Sequence, residues 1–194
     1  MTTRHTKILA VATVVVGGLA LPVATSAADA KAASYPALAP LPPVPIPADN
    51  PMTPEKVELG KKLFWDYRLS GDNSMPCVSC HLPALGWGDN NPISRGYPGT
   101  KHWRNSQTIL NSAYYNKLFW EGNVTSLEAQ APAAAEGAVA GNGDTAMMEM
   151  RLRFIPEYVE AFRKIYGTDW PRMTHAYQAI AAYQSLAEVP HTPD

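Results

Sequence analysis

The chemistry most legible in this chain sits in five residues, Cys77-Val78-Ser79-Cys80-His81. A C-x-x-C-H run is the attachment signature of a c-type haem. Two thiols three positions apart can each form a thioether to one vinyl group of the porphyrin, and the adjacent histidine then lies under the iron as its proximal axial ligand. These are the only cysteines in the chain, so none is left over for a disulfide. A zinc site would need two more ligands at matching spacing, and there is no second cysteine pair. A thioredoxin-like dithiol would follow a strand in a βαβ unit, and no such pattern surrounds residues 77–81.

The residues that must deliver and position this motif divide the chain into three parts. Arg4, His5 and Lys7 form a basic start, Ile8 to Val23 carry no charge, and Ala28-Asp29-Ala30 is a small-residue cleavage site. Residues 1–30 therefore read as a cleavable export signal. The apolar stretch is short for a membrane span, and no later segment is long and apolar enough to be one. An export signal and a haem attachment motif together point to the bacterial periplasm. Removal of the signal leaves roughly 165 residues, the size of one ordinary domain.

Lys and Arg total 16 against 17 Asp and Glu, a formal net charge of −1. The charges in the first 28 residues are Arg4 and Lys7, so the mature chain is more acidic than the precursor. No basic stripe or arginine-rich tail suggests nucleic acid.

Residues 31–53 are a proline-rich linker or arm, as in Leu41-Pro42-Pro43-Val44-Pro45-Ile46-Pro47. They have the extended polyproline character and neither a helix nor a strand period. Residues 54–194 read as short helices joined by long loops. Thr53-Pro54 starts a helix running to Trp65. The haem motif opens a short helix, and residues 83–105, rich in Gly, Pro and Asn, are loop. Ser106 to Asn116 is expected to be helical. Thr125-Ser126-Leu127-Glu128 is a capping-box pattern before an alanine-rich helix. Asp144 caps a helix through Phe154. Pro156 to Tyr166 follows with Gly167 as its stop, and Thr174 caps a last helix to about Glu188. Strand-like alternation is nearly absent. The expected fold class is mostly α, a cytochrome-c-like helical haem domain with long loops.

Several of these segments, in fixed order, carry a resemblance. Glu58-Leu59-Gly60-Lys61-Lys62-Leu63-Phe64, Asp66-Tyr67-Arg68-Leu69-Ser70, the haem motif, Arg104-Asn105-Ser106-Gln107-Thr108-Ile109-Leu110-Asn111, Leu118-Phe119-Trp120-Glu121-Gly122, Pro156-Glu157-Tyr158 and Ala179-Ile180-Ala181-Ala182-Tyr183 resemble the N-terminal haem domain of bacterial di-haem cytochrome c peroxidases and the related MauG proteins. The resemblance implies two haem domains working together. One receives electrons from a small carrier protein, and the N-terminal one reduces peroxide to water. A tryptophan helps couple the two, and Trp120 matches it. No second C-x-x-C-H occurs in the 194 residues; the peroxidase reading therefore expects a second haem on a partner chain, and the electron-transfer reading expects none.

The resemblance also shows where this chain departs. The family often carries a distal histidine on the loop after the haem motif, and Tyr97 stands at that place, with His102 nearby. A family glutamate assists O–O cleavage, and Ala140 stands there, with Glu136 close in sequence. The asparagine of the Arg-Asn segment, here Asn105, serves a calcium site whose other ligands lie in the second domain.

Candidate sixth iron ligands are therefore His102, Tyr97, Met75 and the cluster Met147, Met148 and Met150, beside an open position. Methionine at helical spacing is more often core filler. His175 and His191 are expected at the surface. Arg68 and Arg104 suit bidentate contacts to haem propionates, or they hold loops through carbonyls. Two functions follow. The first is a redox protein that passes electrons through one covalent haem c to a partner protein such as another cytochrome. The second is an oxidoreductase of the cytochrome-c peroxidase type that reduces hydrogen peroxide with electrons from a second haem.

Overall fold

Thr53 sets the start of the first helix. Its side chain accepts the N–H of Lys56 at 3.2 Å, and Pro54 stands where a missing N–H costs nothing. The structure, a computed structural model, describes residue 37 and residues 39–187. The proposed export signal and His191 lie outside them. Helix α1 spans Pro54–Phe64, α2 Leu127–Ala135, α3 Thr145–Arg153, α4 Pro156–Tyr166 and α5 Met173–Ser185. Single 3₁₀ turns occur at Tyr67–Leu69, Cys77–Ser79, Pro83–Leu85 and Ser112–Tyr114. Among the described residues the only β pairing is three isolated bridges, Leu82 with Gly88, Arg95 with Lys101 and Leu118 with Val124. The fold is helical, with long loops.

The core forms where α1 and α5 cross. A Cβ on Gly60 would lie 1.9 Å from the carbonyl oxygen of Ala179, so the two backbones approach as closely as only glycine permits. Leu59, Leu63 and Phe64 of α1 are buried there with Ala176, Tyr177 and Ile180 of α5. Met148 and Leu152 of α3 and Phe162 of α4 complete the cluster. The proline-rich stretch has no helix or strand from residue 42 until a turn at 48–50. It is tied down by Tyr114, whose hydroxyl donates to the Pro42 carbonyl at 2.6 Å. Asn50 is tied down as well, its Nδ2 donating to Glu128 Oε1 at 2.8 Å and to the Gln178 carbonyl at 3.0 Å.

Three local expectations change. Residues 106–116 are not a helix: Asn111 adopts φ 59°, which breaks the α path and leaves one 3₁₀ turn. Ser126, not Thr125, caps α2 by accepting the Ala129 N–H at 3.2 Å, while Glu128 is engaged by Asn50. Helix α5 starts at Met173 with no side-chain cap, so Thr174 lies inside it, and it ends at Ser185. Asp144 does cap α3, accepting the Met147 N–H at 2.8 Å, and Gly167 ends α4.

Candidate haem site

Pro76 holds an extended conformation and the chain then closes at once into the Cys77–Ser79 turn. The Ser79 side chain donates to the Pro76 carbonyl at 2.6 Å, and the His81 N–H donates to the Cys77 carbonyl at 3.2 Å. A 3₁₀ turn brings positions i and i+3 over one another, so the two cysteines project from one side. Cys77 packs against the α1–α5 core, and burial pushes its thiol up to about 12. Burial also raises the Cys80 thiol, which donates to the Arg95 carbonyl at 3.3 Å. Among the described residues no group of three His, Cys, Asp or Glu side chains gathers to hold a free metal ion.

His81 is oriented from behind. Its Nδ1 lies 3.1 Å from the carbonyl oxygen of Trp87. A carbonyl only accepts, so Nδ1 carries the proton and the lone pair is on Nε2. Burial lowers the imidazole pKa below its usual range, so the ring is neutral at pH 7. The carbonyl is aimed by a tight turn in which Trp87 N–H donates to Leu82 at 2.8 Å and Leu82 N–H donates to Gly88 at 2.9 Å. Trp87 itself sits at φ 62°, a conformation costing a non-glycine residue about 1–3 kcal/mol. Its indole is held there by edge-on contacts to Phe64 at 6.2 Å and Tyr183 at 6.0 Å, between ring centroids. Phe64 also flanks the His81 ring at 6.4 Å. Two thiols on one side of a turn and a neutral, backbone-anchored imidazole are the donor set that a covalently attached haem would require.

The loop after the motif returns as a hairpin. Ser94 N–H donates to Arg104 at 3.1 Å and His102 N–H to Ser94 at 2.8 Å, while the Ser94 and Ser106 hydroxyls meet at 2.7 Å. Its tip is clamped on residues 139–140: Tyr97 N–H donates to the Ala140 carbonyl at 2.8 Å, and a Cβ on Gly96 would lie 1.7 Å from the Val139 oxygen. His102 is folded onto its own loop, with Nδ1 accepting the Arg104 N–H at 3.3 Å and its ring 5.0 Å from that of Trp103.

The other candidates are dispersed. Glu136 is exposed at the end of α2, and its Oε1 accepts the hydroxyls of Tyr177 at 2.9 Å and Thr145 at 2.8 Å. Arg68 is paired with Asp66 at 3.0 Å, and Arg104 is exposed. Trp120 is 57% exposed, its Nε1 donating to the Asn105 carbonyl at 2.8 Å. Met148 is wholly buried in the core, Met150 is exposed, and the Met147 sulfur accepts from Arg151 at 3.1 Å. Met75 N–H donates to the Ser70 hydroxyl at 3.1 Å. His175 is half-buried, stacked on Tyr166. Residue types pointed to none of the support from Trp87, because it comes from a main-chain carbonyl. The one signal was Gly86-Trp87-Gly88 as a turn close behind the histidine.

The family described as di-haem cytochrome c peroxidase matches residues 54–193. A cytochrome-c peroxidase IdrP1 of Denitromonas iodatirespirans is 76% identical over 168 residues, covering 86% of this chain and 45% of that protein. Its counterpart of the same name in Pseudomonas sp. (strain SCT) is 74% identical over 164 residues, 84% and 43% of the two chains. The methylamine utilization protein MauG of Methylorubrum extorquens is 38% identical over 142 residues, covering 73% of this chain and 40% of that protein. The fold is similar to the crystal structure of a MauG-like protein associated with microbial copper homeostasis, with TM-score 0.69, 31% identity, and 78% and 46% of the two chains covered. This chain spans less than half the length of these relatives.

Proposed function

The chain belongs to the di-haem cytochrome c peroxidase family, and from that premise we propose that it is a periplasmic redox protein passing electrons through one haem c bound to Cys77, Cys80 and His81. The observation that carries the proposal is the Trp87 carbonyl 3.1 Å from His81 Nδ1, which leaves Nε2 for an iron beside two thiols on one turn. The haem, once attached, supplies a one-electron Fe(III)/Fe(II) couple. The protein holds its proximal ligand neutral by burial and fixes the ring between Phe64 and the Trp87 turn. The export signal read in residues 1–30 supports the periplasm, where a carrier cytochrome is the expected class of partner. Among the described residues no helix is long and apolar enough to cross a membrane.

The test is expression with export and haem-attachment machinery, followed by denaturation. One haem per chain should remain attached in denaturant, and Cys77→Ser with Cys80→Ser should abolish it. Retention of covalent haem in the double variant would overturn the assignment.

A second reading is favoured by the name of the 76% identical relative, a cytochrome-c peroxidase. In it the same haem reduces hydrogen peroxide with electrons from a second haem. Against it stands the side chain at position 140, a methyl group that cannot act as a general acid or base. The ferric absorption spectrum separates the two. High-spin bands that change on adding peroxide favour the second reading, and a low-spin spectrum indifferent to peroxide favours the first.

A further inference from the structure

Ahead of α2 the chain makes a short loop whose root is fixed and whose outer side chains meet solvent. Leu118 N–H donates to the Val124 carbonyl at 2.7 Å, and Gly122 N–H donates to the Phe119 carbonyl at 3.1 Å. Val124 packs against Leu118, Leu127 and Ala181 of α5. In an extended chain, side chains at i and i+2 lie on one face, opposite the residue between them. Asn123 and Thr125 therefore turn away from the Val124 anchor, and both are exposed. Ser126 rather than Thr125 caps α2, which leaves the Thr125 hydroxyl out of the helix. The Asn123 amide Nδ2 donates to Glu121 Oε2 at 3.4 Å, also at the surface.

Asn123-Val124-Thr125 is an Asn-x-Ser/Thr tripeptide, and no other occurs in the chain. With x other than proline, that pattern is an acceptor for N-linked sugar in exported proteins, and it needs a surface loop. A three-residue match arises readily by chance, so placement decides. Here the amide and the hydroxyl share one exposed face and lie outside every helix, on a segment rooted by the Leu118–Val124 pair. Other asparagines contrast with it. Asn50 is buried, its amide engaged by Glu128 and the Gln178 carbonyl, and the Asn105 amide donates to the Asn91 carbonyl.

We propose that Asn123 is an N-glycosylation site, modified on Nδ2 after export, so the proposal rests on the export reading of residues 1–30. The co-substrate is an oligosaccharide carried on a polyisoprenyl diphosphate, and the catalyst is a membrane oligosaccharyltransferase. Nδ2 attacks the anomeric carbon and a C1–N bond forms. The C1–O bond to the diphosphate breaks, and its electron pair leaves with the polyisoprenyl diphosphate. Nδ2 gives up one of its two protons to a carboxylate base, and nothing is oxidised or reduced. An amide nitrogen is a weak nucleophile, because its lone pair is delocalised into the carbonyl. A transferase must therefore grip the acceptor closely, and the Thr125 hydroxyl on the same face as the amide gives it a second point of contact. The loop root is tied by main chain and by Val124, so a sugar on Asn123 leaves the packing beneath it intact.

The test is intact-mass and peptide-mapping spectrometry on the full chain recovered from the cells that make it. Expected is a mass increment of one oligosaccharide on the peptide containing Asn123. The increment should be lost in Asn123→Gln and in Thr125→Ala, and kept in Thr125→Ser, which retains the hydroxyl. A processed chain without the increment, or an increment that survives Asn123→Gln, overturns the site and leaves the export reading intact. The same spectra show whether residues 1–30 have been removed. If they are retained, the export reading fails instead. The purified chain is then mixed with a bacterial oligosaccharyltransferase and its polyisoprenyl-diphosphate-linked oligosaccharide, and an unmodified Asn123 there overturns the site as well.

Discussion

The backbone N–H of Tyr97 donates to the carbonyl of Ala140 at 2.8 Å. The two residues standing where the family resemblance places a distal histidine and an acid/base glutamate are thus joined to one another. The joint is made by main chain alone, and the Gly96 contact with Val139 beside it leaves no room for a side chain. At the two positions that the resemblance assigns to distal-side chemistry, the side chains are a phenol and a methyl group.

If position 140 faces the reacting side of the haem, Ala140→Glu should add an acid/base group without disturbing the joint, because the Tyr97 bond goes to the carbonyl. General acid/base assistance contributes about 10²–10⁴-fold in rate. The haem-loaded variant should react with hydrogen peroxide faster by a factor in that range, measured by stopped-flow absorption. An unchanged rate would show that position 140 does not face the reacting side of the haem.

Trp87 offers a test of backbone strain. Its φ of 62° favours glycine, whereas its indole contacts favour tryptophan. Trp87→Ala loses the packing, at about 3–5 kcal/mol, and keeps the strain. Trp87→Gly loses the same packing but relieves the strain. The glycine variant should therefore be the more stable of the two, by about 1 kcal/mol, reversing the usual order. Urea denaturation of both decides it, and an alanine variant equal to or better than the glycine one would refute the account.

Side-chain chemistry was readable in the sequence, whereas main-chain chemistry was not. The Cys77–His81 spacing, the Asp144 cap and the Gly167 stop are local, and the structure places them as their residue types predict. The helix expected over residues 106–116 had suitable residues, but a left-handed Asn111 breaks it. The support of His81 by Trp87 and the joining of Tyr97 to Ala140 run through carbonyls, which every residue has, so no residue type announces them. Glu136 stood out as an acid near position 140. Its partners Tyr177 and Thr145 lie 41 and 9 positions away, and only folding brings them to it.

Asn50 joins the proline-rich arm to the helices, and its contribution is measurable. It is 2% exposed. Its Nδ2 serves Glu128 and the Gln178 carbonyl, and its Oδ1 accepts from Lys56 Nζ at 2.9 Å. Lys56 is itself buried, its other contacts being the Pro51 carbonyl at 2.6 Å and the face of Tyr166. Asn50→Ala removes hydrogen bonds to charged groups, each worth about 1.5–3 kcal/mol, and leaves the buried ammonium short of an acceptor. Urea denaturation should show a loss of at least that size. A loss under half of it would mean that water replaces the amide.

His175 makes stability depend on pH below neutrality. Its ring stacks on Tyr166 with centroids 4.2 Å apart and planes within 2°. Its Nδ1 is buried without a hydrogen-bond partner. Burial first, then the charges of Lys56 and Arg172, lower its pKa from the ordinary 6.5. The unfolded chain therefore takes up a proton at a higher pH than the folded one. The unfolded state binds more protons as pH falls through 6.5, so stability falls with it until the lower folded value is passed. His175→Phe keeps a flat ring on Tyr166 and removes the titration. In the haem-loaded protein, where His81 is held by iron, the urea midpoint of the wild type should drop between about pH 7 and 5. The variant should drop less, the remainder arising from His102, whose pKa burial also lowers. Parallel pH profiles for the two proteins would show that the stacked ring accepts its proton without cost to the fold.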